Sequence, residues 1–345
     1  MTYKFRAAYT PSTTGSTTPV QWGIVGADGA VGYATGSSPT TWTGYRSPSD
    51  ASSNDHTDLG YGEDGSGNNR WVRTTNNNNL ELAFTDDITD TSGWTNVNVT
   101  GRRYNVKWAN DKWIAVGGIL DTADILTSSN GADWGSVDIS ALPSLSTTNI
   151  TALATDGTTN WIFGQEDRVY ATVNHGANWF LLKDFNDSSF VREAAYSNNK
   201  WYVFRTSVGG NNVAEKVGVA TSADSGSWTD SADTGIGNAA VAMFASVSTG
   251  SASESTVIVV NSNDIARSVD SGANFTKLNN VLPHGSARSV TSDGDGNWVV
   301  SHDSGRISFS NNDGETWSSG TASGIQFDSG TEDIDAVAVN KVLPL

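Results

Sequence analysis

Near the end of the chain, Asp293-Gly294-Asp295-Gly296-Asn297 puts oxygen-bearing side chains at alternate positions, the spacing with which a calcium loop begins. Asp293, Asp295 and Asn297 are therefore the candidate ion ligands. Asp64-Gly65-Ser66-Gly67-Asn68 and Asn110-Asp111-Lys112 hold equivalent places elsewhere in the chain, and turns of Asp, Gly and Asn close without a metal. The plain turn is the simpler reading, and no cofactor is expected. His56, His175, His284 and His302 lack the spacing of a catalytic zinc site. Neither a Gly-x-Ser-x-Gly elbow nor a phosphate-binding loop occurs. The 37 acidic residues supply many accidental carboxylate pairs of the kind glycosidases use, and no pattern singles one out.

Composition narrows the partners. A net charge of −17 over 345 residues opposes nucleic-acid binding through phosphate neutralisation, which needs a basic face. With no cysteine, disulfides and thiolate metal sites are excluded. Residues 1–10 lack the apolar core of a signal peptide, so export by such a signal is not expected. No apolar run approaches the ~18 residues of a membrane span, and membrane insertion is not expected.

The elements that would position any site are set by a repeat. All the tryptophans except Trp108 fall in two columns. The first holds Trp22, Trp71, Trp113, Trp161, Trp201 and Trp298; the second holds Trp42, Trp94, Trp134, Trp179, Trp228 and Trp317, with Phe275 in the same place in a further copy. Periods of about 40–50 residues built from short strands belong to β-propeller blades. The fourth copy shows the pattern: residues 149–156 alternate apolar and polar, 161–164 are continuously apolar, 168–172 form a third strand and 179–182 begin a fourth. The expected fold is all-β, a seven-bladed β-propeller of four-stranded antiparallel blades, with both tryptophan columns packed in the core. The first copy lacks its innermost strand, and residues 333–340 supply one, so the ring is expected to close by pairing the last strand into the first blade. Residues 20–345 then form the propeller. Residues 1–19 are left outside the repeat as a candidate docking arm or an added strand on an outer blade edge.

A recurrent turn links the third and fourth strands. Its best copies run from Ser268 through Asp270 and Gly272 to Phe275, and from Ser310 through Asn312 and Gly314 to Trp317. Thr127 to Trp134, Thr172 to Trp179 and Ser222 to Trp228 follow, while Pro39 and an insertion before Trp94 break the pattern in the first two copies. This turn resembles the Asp-box (BNR) repeat, Ser-x-Asp-x-Gly-x-Thr-Trp, across nearly the whole chain. The local logic is that hydroxyl and carboxylate or amide satisfy turn N–H groups, Gly takes a positive φ and the ring packs beneath.

The resemblance raises sialidase chemistry, but the arginine clamp and Arg-Ile-Pro-type motif of those enzymes have no counterpart here. Phe5-Arg6-Ala7-Ala8 is the nearest text and lies outside the first blade. A non-enzymatic binding or structural role is therefore expected, with recognition on the variable loops 44–57, 98–103, 205–217 and 229–238. Arg46, Arg102, Arg103 and Arg205 are the candidate binding-face residues. Loose, Asn-rich repeats of this kind are similar to those in structural proteins of tailed marine bacteriophages. That implies a virion component of the tail, its fibres or the capsid surface, whose partners are other virion or assembly proteins or a host surface glycan. The alternatives are a sialidase-like glycan-degrading enzyme and an assembly factor resembling the Asp-box propellers that help build photosystem II. The expected location is the virion, or else the extracellular space.

Overall fold

The computed structural model describes residues 7–8, 21–36, 39–47, 55–75, 82–119, 122–207, 216–223, 227–230, 234–236, 244–248, 255–323 and 333–340. They form seven sheets, each the blade of a propeller built on a four-stranded antiparallel meander. Blade 4 is representative: Ala152–Thr155, Trp161–Gln165, Arg168–Thr172 and Phe180–Asp184 run in order from the inner to the outer strand. The single helical piece among the described residues is a 3-10 turn at Ala27–Gly29, and no helix is long and apolar enough to cross a membrane.

The second strand is the most apolar because it is covered on both faces. Its tryptophan always points at the preceding blade. Trp71 packs with Val25 and Val31, Trp113 with Val72 and Leu82, Trp161 with Ile114 and Val116, and Trp298 with Ile258 and Val260. Trp201 meets Ala154 and Ile162, and Trp22 meets Val299 and Ile307 across the ring's seam. In blade 6, which has no tryptophan in this column, Val257 and Val259 meet Tyr202 and Phe204. Every core cluster thus lies between two blades and none within one, so a blade has no core of its own. Trp108 belongs to the same scheme: it is buried between blades 2 and 3, where a Cβ on Gly62 would come within 2.2 Å of its ring.

Closure occurs as expected and is doubled. Ile334–Val339 pairs antiparallel with Gln21–Gly26 in the register Ile24 opposite Val337, forming the inner strand of blade 1. On the outer rim, Thr321–Ser323 leaves blade 7 and pairs in parallel with Thr41–Arg46 of blade 1. The seam is further bridged by Arg288 of blade 7, which lies 2.8 Å from Asp333 at the head of the closing strand. Of the N-terminal segment, Ala7–Ala8 is described. It does not lie on an outer blade edge; it pairs in parallel with Val337 and Ala338, on the channel side of the closing strand.

The second tryptophan column divides. Trp42, Trp94 and Trp179 are buried, whereas Trp134, Trp228, Trp317 and Phe275 are half-buried.

Candidate binding face

The propeller has two unlike ends. One carries the turns from third to fourth strand and from first to second; the other carries the blade-to-blade connections and the turns from second to third strand. At the first end the polar side chains are spent on the backbone. Ser268 Oγ accepts from the Gly272 amide (2.9 Å) and donates to Asp270 Oδ1 (2.6 Å). Asp270 in turn accepts from the amide and side chain of Asn274 at 2.9 and 2.8 Å. Ser310, Asn312, Gly314 and Thr316 repeat this arrangement. Partial burial works against the charge of Asp270, but the hydrogen bonds from Ser268 and Asn274 hold its carboxyl below the ordinary range.

Two successive left-handed residues explain the glycine. Ser271 and Gly272 have φ of 58° and 81°, and Asp313 and Gly314 have 59° and 81°. At Gly314 a Cβ would also come within 2.2 Å of Ile258 in blade 6, so the turn doubles as a lock on the preceding blade. Asp313 reinforces that lock. It accepts from Trp298 Nε1 at 3.1 Å, and its carbonyl takes Arg267 Nε at 2.8 Å.

Cross-strand register revises two copies of this turn. In blade 3 the residue opposite Trp113 is Ser128, not Thr127, and Ser128 Oγ caps the Gly131 amide at 2.8 Å in a turn one residue shorter. In blade 5 the residue opposite Trp201 is Ala220, so the hydroxyl position is empty of a hydroxyl and Ser222 lies two residues beyond it. Residues 224–226, between Ser222 and Trp228, lie outside the described residues. Blade 1 keeps the ring's hydrogen bond within the turn without the glycine: the Pro39 carbonyl accepts from Trp42 Nε1 at 2.9 Å, as the Gly131 and Gly314 carbonyls do from Trp134 and Trp317.

The candidate ion ligands sit at this same end, in a first-to-second-strand turn. Asp293 Oδ1 accepts from the amides of Asp295 (2.9 Å) and Asn297 (3.2 Å), and Oδ2 accepts from Asn297 Nδ2 at 2.7 Å. Asp64 makes the same set of bonds with Ser66 and Asn68, and Asp156 bonds Thr158 and Asn160 in the same way. Among the described residues no group of three or more His, Asp or Glu is arranged to hold a metal. Asp293→Ala should therefore act as the loss of a turn, lowering stability by about 1–2 kcal/mol as for other side-chain caps of backbone amides. Thermal melts with and without added calcium check this. A calcium-dependent rise in wild-type melting that the variant lacks would reject the turn reading.

The opposite end carries most of the arginines, and the structure separates them. Arg103 is fully buried: it reaches Asp124 at 2.6 Å and the carbonyls of Arg102 and Thr100 at 3.0 and 2.9 Å. Arg205 is also buried, paired with Asp187 and Asp230 while its guanidinium lies 3.7 Å from the centre of the Phe185 ring. These two are internal struts and not surface groups. Arg46 is half-buried and Arg102 exposed, so of the four arginine candidates these two face solvent. Arg73, which the sequence did not single out, is fully buried at the joint of blades 1 and 2. It donates to Ser47 Oγ at 3.0 Å and stacks over Trp94 at 4.2 Å. Trp94 Nε1 donates to Tyr45 Oη (2.9 Å), and Tyr45 Oη donates to the Ile88 carbonyl (2.7 Å); burial, opposed by Trp94 and Arg73, pushes the Tyr45 pKa up to about 12.

Around the channel mouth at this end, inner strands bulge by one residue, at Thr57, Tyr104, Arg192, Arg288 and Asp335. A bulge re-aims the extra side chain, and here it serves to tie blades together. Thr57 Oγ1 donates to the Arg103 carbonyl of blade 3 at 2.5 Å. Tyr104 Oη accepts from Asn149 at 3.2 Å. Arg288 spans Asp303 of its own blade and Asp333 of blade 1; burial disfavours its charge, but those carboxylates with Asp335 hold its pKa above the ordinary value. His302 is likewise structural: its ring nitrogens face the Gly285 carbonyl (3.0 Å) and Ser308 Oγ (2.8 Å), and burial first of all pushes its pKa down to about 3. The rim at this end carries Arg46, Arg102, Arg168, Arg192 and Arg306, all half-buried or exposed, with Arg168 ion-paired to Glu166, Asp167 and Asp184 and Arg192 stacked over Phe190. Residues 48–54, 208–215, 231–233 and 237–238 of the expected recognition loops lie outside the described residues.

Solved propellers share this architecture. A structure of YCF48 bound to D1 peptide matches with a TM-score of 0.54 at 15% identity, covering 76% of this chain and 80% of that one. YCF48 from Cyanidioschyzon merolae matches with a TM-score of 0.53 at 14% identity, covering 76% and 84%. A nidogen/laminin complex matches at 10% identity with a TM-score of 0.47, covering 83% and 99%. What the two YCF48 structures share with this chain is the fold. No protein-family model matches the chain, and no curated protein matches it in sequence.

Proposed function

We propose that the chain is a non-enzymatic binding and structural propeller that takes a protein partner on its loop end, and that the assembly it serves is the virion of a tailed bacteriophage. The observation that carries the first part is the contrast between the two ends. Side chains of the turn-end boxes bond their own backbone and the preceding blade, while the loop end concentrates arginines that stand half-buried or exposed, some of them ion-paired at the rim, over a rigid ring. Rigid scaffolds place recognition on such connections, and one structural neighbour of this fold holds a peptide. The virion part rests on the resemblance of the Asn-rich repeat turns and on a cysteine-free chain that needs no oxidising compartment to fold.

Quantitative mass spectrometry of gradient-purified particles, from a lysate of cells carrying the gene, tests this. The chain is expected at a fixed ratio to the major capsid protein. Arg102→Glu and Arg306→Glu together should lower incorporation by about tenfold or more, since rim charges govern encounter and register, and Glu315→Lys at the turn end should not. A chain found wholly in the soluble fraction overturns the virion reading. Hydrolysis of host-surface polysaccharide by the purified chain overturns the non-enzymatic one.

A further inference from the structure

The inner edge of a propeller's innermost strand ordinarily faces the channel without a partner. In blade 1 that edge is taken. Ala7–Ala8 pairs in parallel with the closing strand, Ala7 opposite Val337 and Ala8 opposite Ala338. It also lies against the inner strands of blades 2, 6 and 7, His56–Glu63, Phe244–Ser248 and Ala287–Ser292, which places it in the channel. The direction is consistent with the covalent path. A strand parallel to Ile334–Val339 descends toward the turn end, and Gln21 begins its own strand at that end. Charge also matches: residues 1–19 contain Lys4 and Arg6 and no acid, in a chain of net charge −17, and the acceptor strand is headed by Asp333 and Asp335.

We propose that the channel edge of Ile334–Val339 is a strand-acceptor site whose resident occupant is this chain's own N-terminal segment. The segment adds to the sheet by main-chain pairing, the mode in which extended peptides augment an exposed edge. Ala7–Ala8 and the closing strand are then held in one sheet at the seam, on the channel side of blade 1. This inference stands apart from the virion reading, since it concerns pairing within one chain.

The absence of native cysteine makes the test direct. Register partners on adjacent strands stand ~4.8 Å apart, within the Cα separation of ~4.4–6.8 Å that a disulfide needs. The full chain carrying Ala8→Cys and Ala338→Cys should form an intramolecular disulfide on mild oxidation, seen by intact mass and loss of both free thiols. Ala8→Cys with Thr43→Cys, on the outer rim of the same blade, should not. Unmodified protein gives a second reading. Trypsin must draw several residues around a bond into its own cleft, so cleavage after Arg6 should be about a hundredfold slower in the folded chain than in the denatured one, because cleavage follows the population of the opened form. A crosslink to the rim position, a disulfide found only between two chains, or rapid trimming after Arg6 in the folded protein would each overturn the proposal.

Discussion

Trp298→Ala is expected to destabilise the ring by about 3–5 kcal/mol, the range for removing a fully buried tryptophan whose cavity cannot collapse. Trp298 is wholly buried against Ile258 and Val260 of blade 6, and its Nε1 donates to Asp313. The substitution therefore empties a space between two blades and strips the Asp313 turn of a partner at once. Trp317→Ala, in the same blade, should cost about 1–3 kcal/mol, because its ring is half in solvent and the loss scales with the apolar area removed. Urea unfolding of both variants checks the difference. Equal losses would mean that the two tryptophan columns are energetically equivalent, and that the inter-blade position of the first column does not decide stability. Because each blade buries its faces only on its neighbours, the Trp298 variant should lose the ring as a unit and not fray one blade.

The blade order, the tryptophan columns and the closure were legible from the chain because each rests on a local rule repeated many times. Alternation marks half-buried strands, an apolar run marks the strand covered on both sides, and the tryptophan opposite a box hydroxyl marks register. Where a copy departs from the rule, register slips by a residue. Blade 3 shortens its turn by one and blade 5 substitutes Ala220 for the hydroxyl, and both were placed from the aromatic end, where spacing is looser.

The binding face was less legible, for a physical reason. A string such as Val72-Arg73-Thr74 or Phe204-Arg205-Thr206 reads as a surface cation on a strand end, yet Arg73 and Arg205 lie fully inside joints between sheets. Their partners Ser47, Trp94, Asp187 and Asp230 lie at least 18 residues away in the chain, so nothing within the same few residues announces them. The bulges at Thr57, Tyr104, Arg192, Arg288 and Asp335 are invisible to sequence for the same reason: a bulge is a property of two strands in register. One signal was available. An arginine flanked on both sides by residues of an apolar strand has to be paired if it is buried, and Arg73, Arg103 and Arg205 each have acids or hydroxyls at the heads of neighbouring strands.

Arg103→Met should reduce stability by about 3–5 kcal/mol at neutral pH, the cost of leaving one member of a buried ion pair without the other. Methionine keeps most of the buried volume, so the loss reports on charge more than on packing. Asp124, the partner, is 13% exposed and Arg103 is 0%. Burial raises the Asp124 carboxyl above its ordinary 3.8, and the Arg103 charge pulls it part of the way back. Removing that charge leaves burial unopposed, so the folded-state pKa moves further up. A carboxyl whose folded pKa exceeds its unfolded one contributes stability that is complete below the unfolded value and is lost as pH rises through the folded value. The deficit of Arg103→Met relative to wild type should accordingly be small near pH 4 and grow toward neutrality. Asp124→Asn in the same chain removes the stranded carboxylate, so the double variant should recover much of the loss and show a nearly flat pH dependence. Urea midpoints at about pH 4.5 and pH 7.5 for the two single variants, the double variant and wild type form a complete cycle. An Arg103→Met deficit of the same size at both pH values would show that its hydrogen bonds to the Arg102 and Thr100 carbonyls, and not the Asp124 pair, are what this buried cation contributes.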